Sequence, residues 1–326
     1  MRKLIIGCHY TLNRLTYPTS NQVIYMTTLY SNNMQQIKTI LSPNFNSRPE
    51  ECAIDTIVLH HTATKDVKTA LNILTKHESQ VSSHYVIDKD GLIFQLVPED
   101  KRAWHAGMSS WRGRNNINNY SIGIELVNSG YELFQHSQID SLIGLMHDIA
   151  QRNPVTQANI LAHSDVAPGR KVDPHSAFPW QTLALNGIGL YVHDQQYNAD
   201  RTFTLLQDGT TGDSCIKGSR DHDDIAEKRA NLRRIRDGEG AMADEFVINV
   251  QDIQNKLHHI GYGMELSGTM NIATIHAANA FCRRHKGVEP HRSDDIMWTK
   301  KDQLHLDKVC ELYDKQGKVK LTNIFK

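Results

Sequence analysis

Apolar and polar residues alternate along this chain in distinct regimes. Between about 53 and 190, short aliphatic runs alternate with segments of helical period. Asp55-Thr56-Ile57-Val58-Leu59-His60, Ser121-Ile122-Gly123-Ile124-Glu125 and Asn159-Ile160-Leu161-Ala162-His163 are nearly continuous apolar runs. Such runs predict strands buried on both faces. Val67, Ala70, Leu71 and Leu74 share one face of a predicted helix over 67–79. Ser137 is placed to cap a second helix reaching about 151, with Ile139, Leu142, Ile143, Met146 and Ile149 on one stripe. His84–Ile87 and Leu92–Leu96 flank Asp88-Lys89-Asp90-Gly91, and Asp-Gly between apolar runs signals a hairpin. From 246 the period becomes helical: Val250, Ile253, Leu257 and Ile260 before Gly261, then Ile272, Ile275, Ala278 and Phe281, then Leu304, Val309 and Leu312. The expected fold class is α/β, a mixed central β-sheet flanked by helices over 51–195, followed by a small three-helix C-terminal domain over 246–318. Residues 1–50 read as an extended polar lead-in and 196–245 as a charged linker or insertion.

Composition narrows the function classes. A chain of 326 residues favours two domains. Lys+Arg and Asp+Glu are both 36, and zero net charge argues weakly against bulk nucleic-acid binding, which wants a basic face. No stretch approaches the ~20 apolar residues of a membrane span. Met1-Arg2-Lys3 followed by Leu4-Ile5-Ile6-Gly7-Cys8 looks like a lipoprotein processing box. Its apolar core is far shorter than the ~7–15 residues of a signal peptide, so the match is read as coincidence. Cys8, Cys52, Cys215, Cys282 and Cys310 are widely scattered, without CxxC spacing, and read as idle or buried thiols.

The chemistry gathers at strand ends. His60, Glu125 and His163 each close a predicted strand, and Asp173 follows in the loop Gly169-Arg170-Lys171-Val172-Asp173-Pro174. Strand ends are rigid, so polar groups there can converge. Two imidazoles and a carboxylate leave a fourth position open on zinc, and Glu125 would act as general base. Lys171 would steady the oxyanion. The spacing alone is compatible with a plainer reading. Each histidine would then be a hydrogen-bonded strand-end residue, and Glu125 a partner of Arg112 or Arg114.

A family resemblance strengthens the first reading. Val58-Leu59-His60-His61-Thr62-Ala63 resembles the first motif of the zinc-dependent type-2 N-acetylmuramoyl-L-alanine amidases. Further matches follow in the family's order: Ser82 to Ile87, Ala103-Trp104-His105-Ala106-Gly107, Trp111 to Asn116, Ser121 to Glu125, His163 to Pro174, and Phe178-Pro179-Trp180. The resemblance covers about 53–192. It implies one Zn2+ held by His60, His163 and Asp173, catalytic Glu125 and Lys171, and peptidoglycan or its muropeptide fragments as partner. One departure is His175, where the family often has Gly after Asp-Pro. His61 is expected to be structural and His84 to support packing. Trp104, His105 and Trp111 are expected to line the substrate cleft, with core packing as the alternative for the tryptophans. Arg112 and Arg114 would meet stem-peptide carboxylates, with a solvated loop charge as the alternative. The region 246–314 resembles a three-helix peptidoglycan-binding domain, which favours wall polymer as substrate and the cell envelope as location. Recycling fragments and the cytoplasm are the other option. A non-catalytic peptidoglycan recognition module and a zinc-stabilised adaptor are rival functions.

Overall fold

A computed structural model describes residues 37–192, 249–288 and 298–321. The expectations placed on Met1–Cys8 and on 196–245 lie outside these described residues. In chain order the elements are β1 (Ile37–Thr39), β2 (Phe45–Ser47), β3 (Thr56–His61), α1 (Val67–Thr75), β4 (Tyr85–Ile87), β5 (Ile93–Gln95) and β6 (Lys101–Ala103). Then come β7 (Ser110–Trp111), β8 (Arg114–Asn115), β9 (Ser121–Leu126), α2 (His136–Arg152), β10 (Ile160–Ala162), the single turn α3 (His163–Val166) and α4 (Trp180–Leu185). The C-terminal helices are α5 (Val250–Ile260), α6 (Ile272–Lys286) and α7 (Lys300–Gln316).

The main sheet has six strands in the order β1-β5-β4-β9-β3-β10. β4, β9, β3 and β10 run parallel, while β5 is antiparallel to β4 through the Asp88–Gly91 turn. This is the mixed sheet the pattern predicts. β3 and β9 are buried almost throughout, as parallel strands covered on both faces must be. Two elements went unforeseen in the polar lead-in. β1 extends the sheet edge beside β5, and β2 pairs with β6. Each is only three residues long and mostly exposed, so neither carries a readable alternation.

Three apolar clusters cover the sheet. On one face α2 presents Ile139, Leu142, Ile143, Met146 and Ile149 to Ile57, Leu59, Ile122 and Ile124. On the other, α1 covers Val86 and Phe94, while Val58 and Leu161 meet the C-terminal helices through Ile253, Leu257, Ala277 and Phe281. The C-terminal region and the α/β region thus share one apolar cluster.

Local details refine the sequence reading. α1 starts on Asp66, whose side chain accepts from the Thr69 N–H, and it stops at Thr75 before one 3-10 turn over His77–Ser79. Ser137 is not the cap of α2, because the helix begins at His136 after Gln135. The Ser137 hydroxyl donates instead to the Lys89 carbonyl, tying α2 to the hairpin turn. In that turn Gly91 has φ +91, and a Cβ there would lie 2.8 Å from the Ser137 carbonyl oxygen. On α7 the expected stripe holds at Val309 and Leu312 but not at Leu304. Leu304 is 53% exposed, and the buried face carries Asp302, His305, Leu306, Val309, Cys310 and Tyr313.

Candidate metal centre and active site

Register builds the site. His60 lies opposite Glu125 across β3 and β9, and Ala162 lies opposite Leu59 across β10 and β3. The residue after Ala162 is His163, so His163, His60 and Glu125 stand abreast at the carboxyl ends of three neighbouring parallel strands. Neighbouring strands are ~4.8 Å apart, which suits convergence on one small ligand. The crevice beyond the carboxyl ends of parallel strands is where α/β sheets commonly bind ligands.

The loop after α3 supplies the third group. The Ser164 N–H donates to the Asp173 carbonyl, folding the loop back on α3. The Nδ1 atoms of His60 and His163 are 2.9 Å apart, and each is 3.0 Å from Asp173 Oδ2. His60 and His163 are buried, and Asp173 is half-buried at the mouth. The far nitrogen of His163, Nε2, lies 3.2 Å from the Ala106 carbonyl, which can only accept. A neutral His163 therefore carries its proton on Nε2 and turns the Nδ1 lone pair toward His60 and Asp173. Nitrogen, nitrogen and carboxylate oxygen crowded this closely form a donor set for a divalent cation, and the triangle is small enough for zinc at ~2.0–2.2 Å from each atom. The residues present fit the metal that the family resemblance implies.

Electrostatics agree with this geometry. Burial, and then the neighbouring His163, hold His60 down to about 4, so the ring is neutral and able to ligate at physiological pH. Burial, and then the Asp173 charge, push Glu125 up to about 8, while the Lys171 ammonium pulls the other way. The Lys171 charge is felt by both His60 and Glu125, as expected for a cation on the ligand loop. Among the described residues Glu125 Oε2 is buried without a hydrogen-bond partner. Glu125 is bonded to neither Arg112 nor Arg114, so the plainer reading of that carboxylate fails.

Of the five residues expected to line a substrate groove, Trp111 and His105 are buried. Trp111 is 1% exposed and packs edge-on against Tyr262 with centroids 5.2 Å apart, so it is core. His105 is 8% exposed and stands behind His60, with its Nδ1 3.1 Å from His60 Nε2, instead of lining the cleft. The Arg112 Nε–H donates to the Ile260 carbonyl, and its guanidinium lies 5.6 Å from the centroid of the Tyr313 ring. Arg114 is paired with Asp55 at 2.9 Å and stacked 4.5 Å from the Tyr120 ring centroid. Arg114 is thus held by an ion pair, whereas Arg112 is anchored through Nε alone and remains exposed. Trp104 is half-buried, its indole N–H donating to Asn46 Oδ1. His84 is buried and held down to about 3, by burial first and then by the Arg48 charge. It accepts from the Gly123 N–H, in line with a packing role.

Two supports escaped the sequence reading. Arg170 donates to the carbonyls of Ala106 at 2.6 Å and Met108 at 2.7 Å, bracing the ligand loop against the segment behind the histidines. Asp165, two residues after His163, is fully buried. It accepts from the Ala162 N–H, from the Tyr262 hydroxyl and from Arg284 Nη1, each at 2.8 Å. Arg284 also donates to the Ile160 carbonyl and lies over the Trp180 ring. Both Arg170 and Asp165 sit inside the motif around His163, so the motif itself was the available signal. Tyr262 lies within the stretch that resembles a helical wall-binding domain, and Arg284 had no signal.

Comparison with known proteins gives a consistent set. The family described as N-acetylmuramoyl-L-alanine amidase matches residues 50–176. N-acetylmuramoyl-L-alanine amidase AmiD of Escherichia coli K12 is 43% identical over 161 residues, which are 44% of this chain and 57% of AmiD, so the match spans just over half of that relative. The 1,6-anhydro-N-acetylmuramyl-L-alanine amidase AmpD of Citrobacter freundii is 32% identical over 164 residues, 45% of this chain and 88% of AmpD. Among solved structures, AmiD from E. coli in complex with the substrate anhydro-N-acetylmuramic acid-L-Ala-D-gamma-Glu-L-Lys superposes with a TM-score of 0.57 at 28% identity, covering 83% of this chain and 94% of that one.

Proposed function

Because the chain belongs to the N-acetylmuramoyl-L-alanine amidase family, we propose that it is a zinc-dependent hydrolase of the amide between N-acetylmuramic acid and L-alanine in peptidoglycan or its muropeptide fragments. His60, His163 and Asp173 would hold the metal. When bound, zinc supplies Lewis acidity, polarising a carbonyl and making water acidic near neutral pH. Glu125 takes the proton of the attacking water and delivers it to the amide nitrogen as the C–N bond breaks. The products are the carboxylate of the lactyl group and the free amine of L-alanine. Lys171, on the ligand loop, steadies the negative charge that develops on the carbonyl oxygen.

One observation carries this reading. The register sets Glu125 directly beside His60, a proposed metal ligand, while its buried Oε2 has no partner among the described residues. A buried carboxylate oxygen left unbonded is costly, so its retention calls for a role, and proton transfer is one that this position can serve. A recognition module that only held the fragment would have no use for such a base.

Anhydro-muropeptide and intact wall, each incubated with the protein with and without chelator, test the proposal. Metal-dependent release of free peptide is expected. Glu125→Gln should lower turnover about 10²–10⁴-fold, the usual span of general acid–base catalysis, with zinc still bound. Peptide release that persists in the variant would overturn the assignment, and binding without release would favour the recognition module. The same pair of substrates bears on location: use of polymer supports a place in the cell envelope, and use of released fragments alone a place in the cytoplasm. Among the described residues no helix is long and apolar enough to cross a membrane.

A further inference from the structure

His105 and its neighbours raise a question the amidase reading leaves open: what selects the ring nitrogen that His60 turns toward the metal? The answer can be followed from one carbonyl. The Ser121 hydroxyl lies 2.7 Å from the Ile117 carbonyl oxygen, which can only accept, so the hydroxyl proton is committed there. The Ser121 oxygen also faces His105 Nε2 at 3.1 Å. With its own proton spent, that oxygen accepts, and the proton of a neutral His105 is on Nε2. His105 Nδ1 is then a bare acceptor, 3.1 Å from His60 Nε2. The proton of a neutral His60 is drawn to Nε2 in turn, and the Nδ1 lone pair is left facing His163 and Asp173.

The backbone is shaped around this chain of bonds. A Cβ on Gly123 would lie 2.4 Å from His105 Cγ, so the ring rests directly on the strand. Gly123 sits mid-strand, where glycine weakens β structure unless something must approach closely. The N–H groups of His105 and Ala106 both donate to Asn118 Oδ1, fixing the backbone that carries the ring. Burial of Ser121, His105 and His60 removes water as an alternative partner.

We propose that His105, oriented by Ser121 and seated on Gly123, is the positioning residue that fixes the tautomer and ring orientation of the metal ligand His60. This rests on the metal reading above. Partners of this kind typically set metal affinity within 10–100-fold.

Zinc affinity of the full chain, stripped and retitrated in competition with a chromophoric chelator, tests it alongside the wild type. His105→Phe fills the space without an acceptor and should weaken zinc binding roughly 10–100-fold. His105→Gln keeps an amide oxygen for the His60 N–H and an amide donor for Ser121, and should stay within a few-fold of wild type. A purely space-filling role predicts the reverse order, which would overturn the proposal, as would an equal loss in both variants. Two-bond 1H–15N spectra of histidine-labelled, zinc-loaded wild type need no variant to fold. They should show His60 and His105 both protonated on Nε2, and His105 protonated on Nδ1 would overturn the proposal. A wild type that takes up no zinc defeats the metal reading itself. A wild type that binds zinc as tightly as His105→Phe defeats only the role of His105.

Discussion

The sheet end and the C-terminal helices make opposite contributions to the same few residues. Every proposed ligand and catalytic group lies on the α/β side, at the ends of β3, β9 and β10 or in the loop after α3. The helices bring no ligand, yet they reach the segment 160–166 from behind. Tyr262 and Arg284 converge on Asp165, and Arg284 also holds the carbonyl of Ile160 at the start of β10. His276 on α6 fills the space beside Gly169 of the ligand loop, where a Cβ would lie 2.0 Å from its Nδ1. The chemistry is local to strand ends, whereas its support is long-range. A region that resembles a wall-binding domain is packed as part of the scaffold of the site.

The largest expected effect comes from breaking that seam. Arg284 and Asp165 are both fully buried, and removing one partner of such a pair leaves an uncompensated charge. Arg284→Met should destabilise the protein by about 3–5 kcal/mol, read by denaturant unfolding, and should weaken zinc affinity because Asp165 is two residues from His163. Helices acting only as a tether would leave the metal affinity unchanged. Arg284→Met combined with Asp165→Asn should recover part of the stability, since no bare charge then remains.

A second, smaller effect separates the two regions by pH. In the chelated protein Glu125 is held at about 8 by burial and by Asp173, against about 4.5 for an ordinary glutamate. The folded state therefore keeps a proton that the unfolded chain releases. The protonated carboxyl contributes its full stability below about 4.5, and that contribution is lost as pH rises through about 8. Each unit of such a shift corresponds to about 1.4 kcal/mol, reduced here by the partial exposure of the residue. Chelated Glu125→Gln should thus gain stability relative to wild type as pH is raised from 5 to 8. A flat difference across that range would mean that Glu125 is ionised in the folded apoprotein. The Arg284→Met variant, which bares a buried carboxylate instead of removing one, should not gain stability relative to wild type over the same range.

This contrast also explains what the sequence could reveal. Buried β-branched runs ending in His60, Glu125 and His163 are local patterns, and parallel pairing in register brings them together without further information. The hairpin at Asp88–Gly91, the apolar stripe of α2 and the stop of α5 at Gly261 follow from equally local signals. Ring direction is not local. Trp104, His105 and Trp111 share one short stretch, yet one is half-buried, one stands behind a metal ligand and one is core. Nothing in the spacing of Arg112 and Arg114 tells that one is anchored through Nε to Ile260 and the other paired with Asp55. On α7 the buried face includes polar Asp302 and His305, so an apolar count wrongly adds Leu304 to it. Asp165 and Arg284 are 119 residues apart, and only the fold pairs them.

The smallest test lies at the far end of the helical region, where support for the site should run out. Thr299 caps α7, accepting from the Asp302 N–H at 3.3 Å, while Asp302 Oδ2 accepts from the Thr299 N–H at 2.7 Å. This reciprocal pair satisfies two helix-end donors. The other end of α7 is clamped to the strand side: the Ala158 N–H donates to the Gly317 carbonyl and the Gln157 N–H to the Val319 carbonyl, just before β10. Loss of the cap should therefore fray the first turn and leave the clamped end in place. Thr299→Ala is expected to cost about 1 kcal/mol by thermal or denaturant unfolding, with zinc affinity unchanged. A fall in zinc affinity comparable to that of Arg284→Met would mean that the whole helical region, and not the Asp165 seam, sets the ligand geometry.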